Sequence, residues 1–149
     1  MTFDLRQDRV YVRAAARSTR YLAVRLVAPP TTRQRDRLPV NASLVLDRSG
    51  SMGGQKIRLA KEAVDRAIAT LDERDRFSVV FYDDRIDVVV PSTTATPTAR
   101  SAAREALRAV DARGSTNLFE GWMRGCEQVA LHVGGEVVSR ALLLTDGLA

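Results

Sequence analysis

The sequence is short of several residue types, and each shortage excludes something. Its one cysteine, Cys126, cannot form an internal disulfide, which points to a reducing compartment. A lone cysteine of this kind reads as a small core hydrophobe. The one histidine, His132, falls late in a helical stretch and reads as a partly exposed surface residue. Aromatics make up only 5% of the chain, so no stacking platform accompanies its many arginines, which argues against a nucleic-acid partner. No apolar run approaches the roughly 20 residues of a membrane-spanning helix. The start, MTFDLRQDRV, carries Asp4, Arg6, Asp8 and Arg9 where a secretory signal needs an apolar stretch. The expectation is a cytoplasmic protein without membrane insertion. Lysine is scarce too: Lys56 and Lys61 stand against 21 arginines, a habit of composition rather than a local device.

What is present is ordinary for a folded domain. The 149 residues are 45% hydrophobic and 28% charged, enough for a real core without disulfide staples. Charge is uneven: residues 1–48 hold ten arginines against four aspartates, and the rest is close to neutral. Because those arginines alternate with apolar residues, they read as a solvated face.

Period-two alternation predicts two strands within residues 10–28: Val10, Val12 and Ala14 in the first, Leu22, Val24 and Leu26 in the second. Arg17 to Arg20 forms the turn between them. Ala28 to Pro39 is proline-rich and charged, a linker that separates this strand pair (1–39) from a second region (40–149). There the pattern changes. The run ASLVLD (42–47) suits a strand buried on both faces, and a glycine-rich turn leads into a helix of about 17 residues. That helix turns Ile57, Ala60, Val64, Ala67, Ile68 and Leu71 inward. Arg76 to Tyr82 and Ile86 to Val90 are joined so tightly that they must form an antiparallel hairpin. Thr96 and Pro97 open a second helix, with Arg100, Arg104 and Arg108 as a solvated row. Asn117 opens a third, with Glu120 placed to complete a capping box. Val137 to Leu144 is the last strand. Such alternation predicts an α/β fold, a Rossmann-like open sheet with helices on both faces.

Ligands of open α/β sheets bind beyond the carboxyl ends of the strands. Asp47, Ser49 and Ser51 fall there, as do Ser115, Thr116 and Asn117 before the third helix, and Thr145 and Asp146 after the last strand. Two carboxylates and several hydroxyls, with no thiolate or imidazole, are hard oxygen donors suited to Mg²⁺.

Asp47-Arg48-Ser49-Gly50-Ser51, Thr116 in GSTN and Asp146 in TDG together resemble the metal-ion-dependent adhesion site of von Willebrand factor type A domains. The likeness runs from about Val40 to Gly147, and the strand pair and linker before it are similar to bacterial members. It implies a metal site of Asp47, Ser49, Ser51, Thr116 and Asp146, the hydroxyls touching Mg²⁺ and the two aspartates acting through waters and the serines. Mn²⁺ and Ca²⁺ are alternatives. It further implies a non-enzymatic module whose ion is completed by an aspartate or glutamate of a partner protein, or an assembly subunit whose metal is satisfied internally. Asp47→Ala is then expected to abolish partner binding while the fold survives. Family members continue beyond the TDG strand with at least one more strand and one or two helices. The resemblance therefore implies a C-terminally truncated domain, with β-strand edge exposed and metal affinity weakened.

Two rivals fit less well. GSMGGQK resembles a phosphate-binding loop, but Gln55 replaces the glycine before the lysine and Ile57 the Ser/Thr after it. A hydrolase built on Ser51 has Ser49 in place of the first glycine of a nucleophile elbow, and His132 is its only imidazole.

Overall fold

A computed structural model describes all residues except 1, 10, 12, 13, 16, 18, 28–36, 148 and 149. The chain divides into two compact units, Met1–Arg37 and Leu38–Ala149.

In the first unit β1 (Thr2–Gln7) pairs antiparallel with β2 (Leu22–Val27), Thr2 opposite Val27 and Gln7 opposite Leu22. The antiparallel pair is as expected, but its first strand lies nearer the start of the chain. Phe3 and Leu5 alternate with Asp4 and Arg6, the same period-two signal in a stretch too charged to look like a strand. Of the expected strand, Val10 and Val12 lie outside the described residues, and Ala14 sits in a turn with Ala15. Arg20 closes the connection by donating to the carbonyls of Arg9 (2.9 Å) and Tyr11 (2.5 Å). Most of the expected linker, residues 28–36, lies outside the described residues.

The second unit is a sheet in the order β5-β4-β3-β6, made of β3 (Val40–Asp47), β4 (Arg76–Tyr82), β5 (Ile86–Thr94) and β6 (Val138–Leu144). β3 runs parallel to both β4 and β6, with Leu44 opposite Val79 and Leu142, while β5 returns antiparallel to β4. Helices α1 (Gln55–Thr70) and α2 (Pro97–Arg108) cover one face. Their Ile57, Val64, Ile68, Ala103 and Leu107 meet Leu44, Leu46, Phe77, Val79 and Phe81. The opposite face carries Val45, Val80 and Tyr82, packed by Leu118 at the start of α3 (Leu118–Ala130). β3 alternates its apolar side chains between these two cores, which is why it reads as a continuous apolar run.

Several local signals act as read, with informative departures. Thr96 caps α2 by accepting the Ala99 N–H at 3.2 Å. Asn117 caps α3 by accepting the Glu120 N–H at 3.3 Å, yet Glu120 returns to the Asn117 side chain (2.8 Å) rather than its backbone. The backbone N–H is already donated to the Asp83 carbonyl at 2.8 Å. β5 continues through Pro91 to Thr94, beyond the expected end at Val90, because a proline is tolerated on an edge strand. The arginine row of α2 is not merely solvated: Arg100 donates to the Leu71 carbonyl (2.8 Å) and Arg104 to Asp65 (2.5 Å), tying α2 to α1. Cys126 is half-buried. β6 is an edge strand, with Leu142 about half exposed.

α3 approaches the sheet on two glycines one turn apart. A Cβ on Gly121 would lie 2.5 Å from Tyr82 Cγ, and one on Gly125 2.2 Å from Val45 Cγ2. Gly125→Ala is therefore expected to destabilise the fold by about 2 kcal/mol through overpacking. In an open helix the same change would add about 1 kcal/mol. The sign of the shift in urea midpoint decides between the two.

Candidate metal centre

The carboxyl ends of β3 and β6 and the loop before α3 meet at one end of the sheet. β3 delivers Asp47, fully buried, and its two oxygens are both engaged. Oδ1 accepts the Ser49 N–H at 2.8 Å; Oδ2 accepts the Tyr82 hydroxyl at 3.2 Å and the Thr145 hydroxyl at 2.9 Å. Asp47 thus fixes its own turn, the end of β4 and the end of β6 together. Burial pushes the Tyr82 phenol up to about 12; the Thr145 hydroxyl opposes the rise and the Asp47 carboxylate adds to it. Tyr82 therefore stays a hydrogen-bond donor throughout the neutral range.

The turn then makes a single 3-10 turn, Gly50–Met52, before α1 begins. It leaves Ser49 Oγ and Ser51 Oγ 3.2 Å apart, the first buried and the second exposed. Ser51 Oγ also lies 3.4 Å from Asp146 Oδ1. Of the five residues the sequence singles out, Asp47, Ser49, Ser51 and Asp146 are joined in one hydrogen-bonded chain. Thr116 is half-buried on the neighbouring loop, and among the described residues no hydrogen bond joins it to these four. That loop is stitched to the β3 turn by Gly50 N–H to the Gly114 carbonyl (3.0 Å) and Arg113 N–H to the Arg48 carbonyl (2.7 Å). Ser115 is exposed and Asn117 is the helix cap.

Sequence reasoning missed the ionic cluster beneath these loops. Asp83, fully buried after β4, accepts Arg48 Nε and Arg113 Nε, each at 2.8 Å on Oδ2, and the Arg85 N–H at 2.7 Å on Oδ1. Arg48 also donates to Asp87 of β5. Burial alone would raise the Asp83 carboxyl; the bonds from Arg113, the Arg85 amide and Arg48 outweigh it and hold it below the ordinary carboxylate value. Arg48 and Arg113 thus tie Asp83 and Asp87 together, joining three loops and the start of β5. The signal was thin, because Arg48 and Asp83 are 35 residues apart and Arg113 a further 30. Lys56, the second residue of α1, was missed as well; its Nζ donates to Asp146 Oδ2 at 2.7 Å.

Among the described residues no three or more His, Cys, Asp or Glu side chains are placed to share a metal ion. An ion here must rest on hydroxyls and two carboxylates. That donor set fits a hard cation such as Mg²⁺ and not zinc or copper. The same geometry weakens both rivals. The His132 carbonyl accepts Asn41 Nδ2 at 3.1 Å, beside the first residues of β3. Six residue steps of strand separate Asn41 from Asp47, about 20 Å at roughly 3.3 Å per step, so His132 belongs to the far end of the sheet from Ser51. Lys56 turns to a carboxylate rather than over a phosphate nest.

The family model of the von Willebrand factor type A domain matches residues 43–148. A Synechocystis protein, sll0103, is 37% identical over 133 residues, covering 89% of this chain and 31% of the relative. Inter-alpha-trypsin inhibitor heavy chain H1 of Mesocricetus auratus is 34% identical over 116 residues, covering 72% of this chain and 12% of its own length. The chain thus spans about a third or less of these curated relatives. A von Willebrand factor type A structure from Catenulispora acidiphila superposes with a TM-score of 0.61 at 27% identity, over 70% of this chain and 25% of that one. The pilus tip protein Mfa5 of Porphyromonas gingivalis shares the fold, with a TM-score of 0.64 at 23% identity over 75% of this chain and 20% of that one. The match of model, order and fold has one meaning: this chain belongs to the von Willebrand factor type A domain family.

Proposed function

We propose that the loop edge binds Mg²⁺ and uses it, without catalysis, to recognise a carboxylate on a partner protein. Ser49, Ser51 and Thr116 hold the ion through their hydroxyls; Asp146 orients the Ser51 hydroxyl, Asp47 braces the turn through the Ser49 amide, and both balance charge. The observation that carries this reading is the row Ser49 Oγ, Ser51 Oγ and Asp146 Oδ1, three oxygens from two loops spaced 3.2 and 3.4 Å apart. Asp47 is suited to bracing rather than direct ligation, since both its oxygens already accept hydrogen bonds. When bound, the ion supplies an electrophilic position that an outside oxygen ligand can fill.

Ser51→Ala is the cleanest test, because Ser51 is exposed and its loss is expected to change stability by less than about 0.5 kcal/mol. Calorimetric titration is expected to show Mg²⁺ binding to the wild-type chain and affinity at least tenfold weaker in the variant. Equal affinity in the two proteins, or none in either, overturns the reading. Partner capture should likewise be lost in EDTA.

A further inference from the structure

Lys56 breaks a local rule. It stands in the first turn of α1, a helix whose first turn carries no acidic residue and whose N-cap, Gly54, offers no side chain. A cation is disfavoured there by the helix dipole. Such violations point to a role outside the helix. The side chain is half exposed and reaches 90 positions along the sequence to Asp146 Oδ2 at 2.7 Å, while Oδ1 of the same carboxylate faces Ser51. One oxygen of Asp146 thus faces the hydroxyl row and the other is paired with an ammonium.

We propose that Lys56 sets the charge of the metal centre and so makes it selective for an anionic ligand. This rests on the Mg²⁺ reading above. A divalent ion beside Asp47 and Asp146 alone would be neutral, and a neutral centre is content with water. Lys56 cancels one of those carboxylates. The neighbouring loop charges do not alter the balance, since Arg48, Arg85 and Arg113 stand against Asp83, Asp84 and Asp87, three of each sign. A bound ion therefore retains one uncompensated positive charge. Its resting affinity falls, and its attraction for an incoming carboxylate rises. Solvent screening at a half-exposed ammonium keeps both effects moderate.

The opposite signs of the two effects make the inference testable. Lys56→Gln is expected to bind Mg²⁺ about fivefold tighter by calorimetry. With Mn²⁺ as a paramagnetic stand-in, acetate should displace bound water from Lys56→Gln at about fivefold higher concentration than from wild type, read by water-proton relaxation. Lys56→Arg, which keeps the charge, should restore both values. A lysine that merely held Asp146 in place would instead give weaker metal binding in Lys56→Gln. That result, or two unchanged affinities with a metal-binding wild type, overturns the role of Lys56 alone. A wild-type chain that binds neither ion overturns the metal reading and this inference with it.

Discussion

Asp83→Ala is expected to cost about 3 kcal/mol of stability, the loss typical of breaking a buried ion pair from one side. Arg48, with a side chain 8% exposed, keeps Asp87 but loses its buried partner, whereas Arg113, 55% exposed, can turn to water. Most of the penalty therefore falls on Arg48. Urea unfolding measures it as a lower midpoint at unchanged slope. Asp83→Asn keeps the shape and loses the charge, so it should fall between the two. A change below about 1 kcal/mol in Asp83→Ala would mean that the cluster is idle. The same carboxylate gives a pH signature. Its folded pKa is lowered, so its stabilisation is present above the unfolded value near 3.8 and is lost as pH falls from there through the folded value. Wild type should weaken over that acid window more steeply than Asp83→Ala.

The second large effect concerns Asp47, and here the structure revises an expectation. A fold indifferent to Asp47→Ala does not follow for a buried carboxylate that satisfies the Ser49 amide and the Tyr82 and Thr145 hydroxyls. Removing it leaves these donors without their acceptor, at about 1–3 kcal/mol for each one that stays buried. Asp47→Ala is thus expected to lose about 3 kcal/mol as well as metal binding, and the two losses would be confounded. Asp47→Asn separates them. Its carbonyl can still accept the Ser49 amide, and its amide can donate to the two hydroxyls, which accept as readily as they donate. It should remain within about 1 kcal/mol of wild type in urea while Mg²⁺ affinity drops at least tenfold by calorimetry. Undiminished Mg²⁺ affinity in Asp47→Asn would show that the carboxylate charge does not serve the ion.

Legibility in the sequence followed the range of the interactions. β4 was read to the residue, and β3, α1 and the caps at Thr96 and Asn117 nearly so, because their signals lie within a few residues of one another. The four hydrogen-bonded site residues could be listed because strand ends deliver them by topology. What could not be read depends on side chains that meet only after folding. Nothing near Arg48 announces Asp83 or Arg113, and Lys56 looked like part of a failed phosphate loop until its partner 90 residues away was known. β1 was missed for a different reason: charged residues on its alternate positions concealed a strand with little burial to enforce it. Glu120 shows the intermediate case, a correct local motif diverted when the Asn117 amide found a tertiary acceptor.

The scarcity of lysine has a practical corollary. Lys61 donates to the carbonyls of Arg108 (3.3 Å) and Val110 (2.5 Å), where α2 ends, whereas Lys56 touches Asp146. An acylating reagent therefore meets only two ε-amines, one on Asp146 and one on the backbone carbonyls that close α2. Peptide mapping after brief labelling turns the first into an optical-free reporter of events at Asp146, with the second as its internal reference.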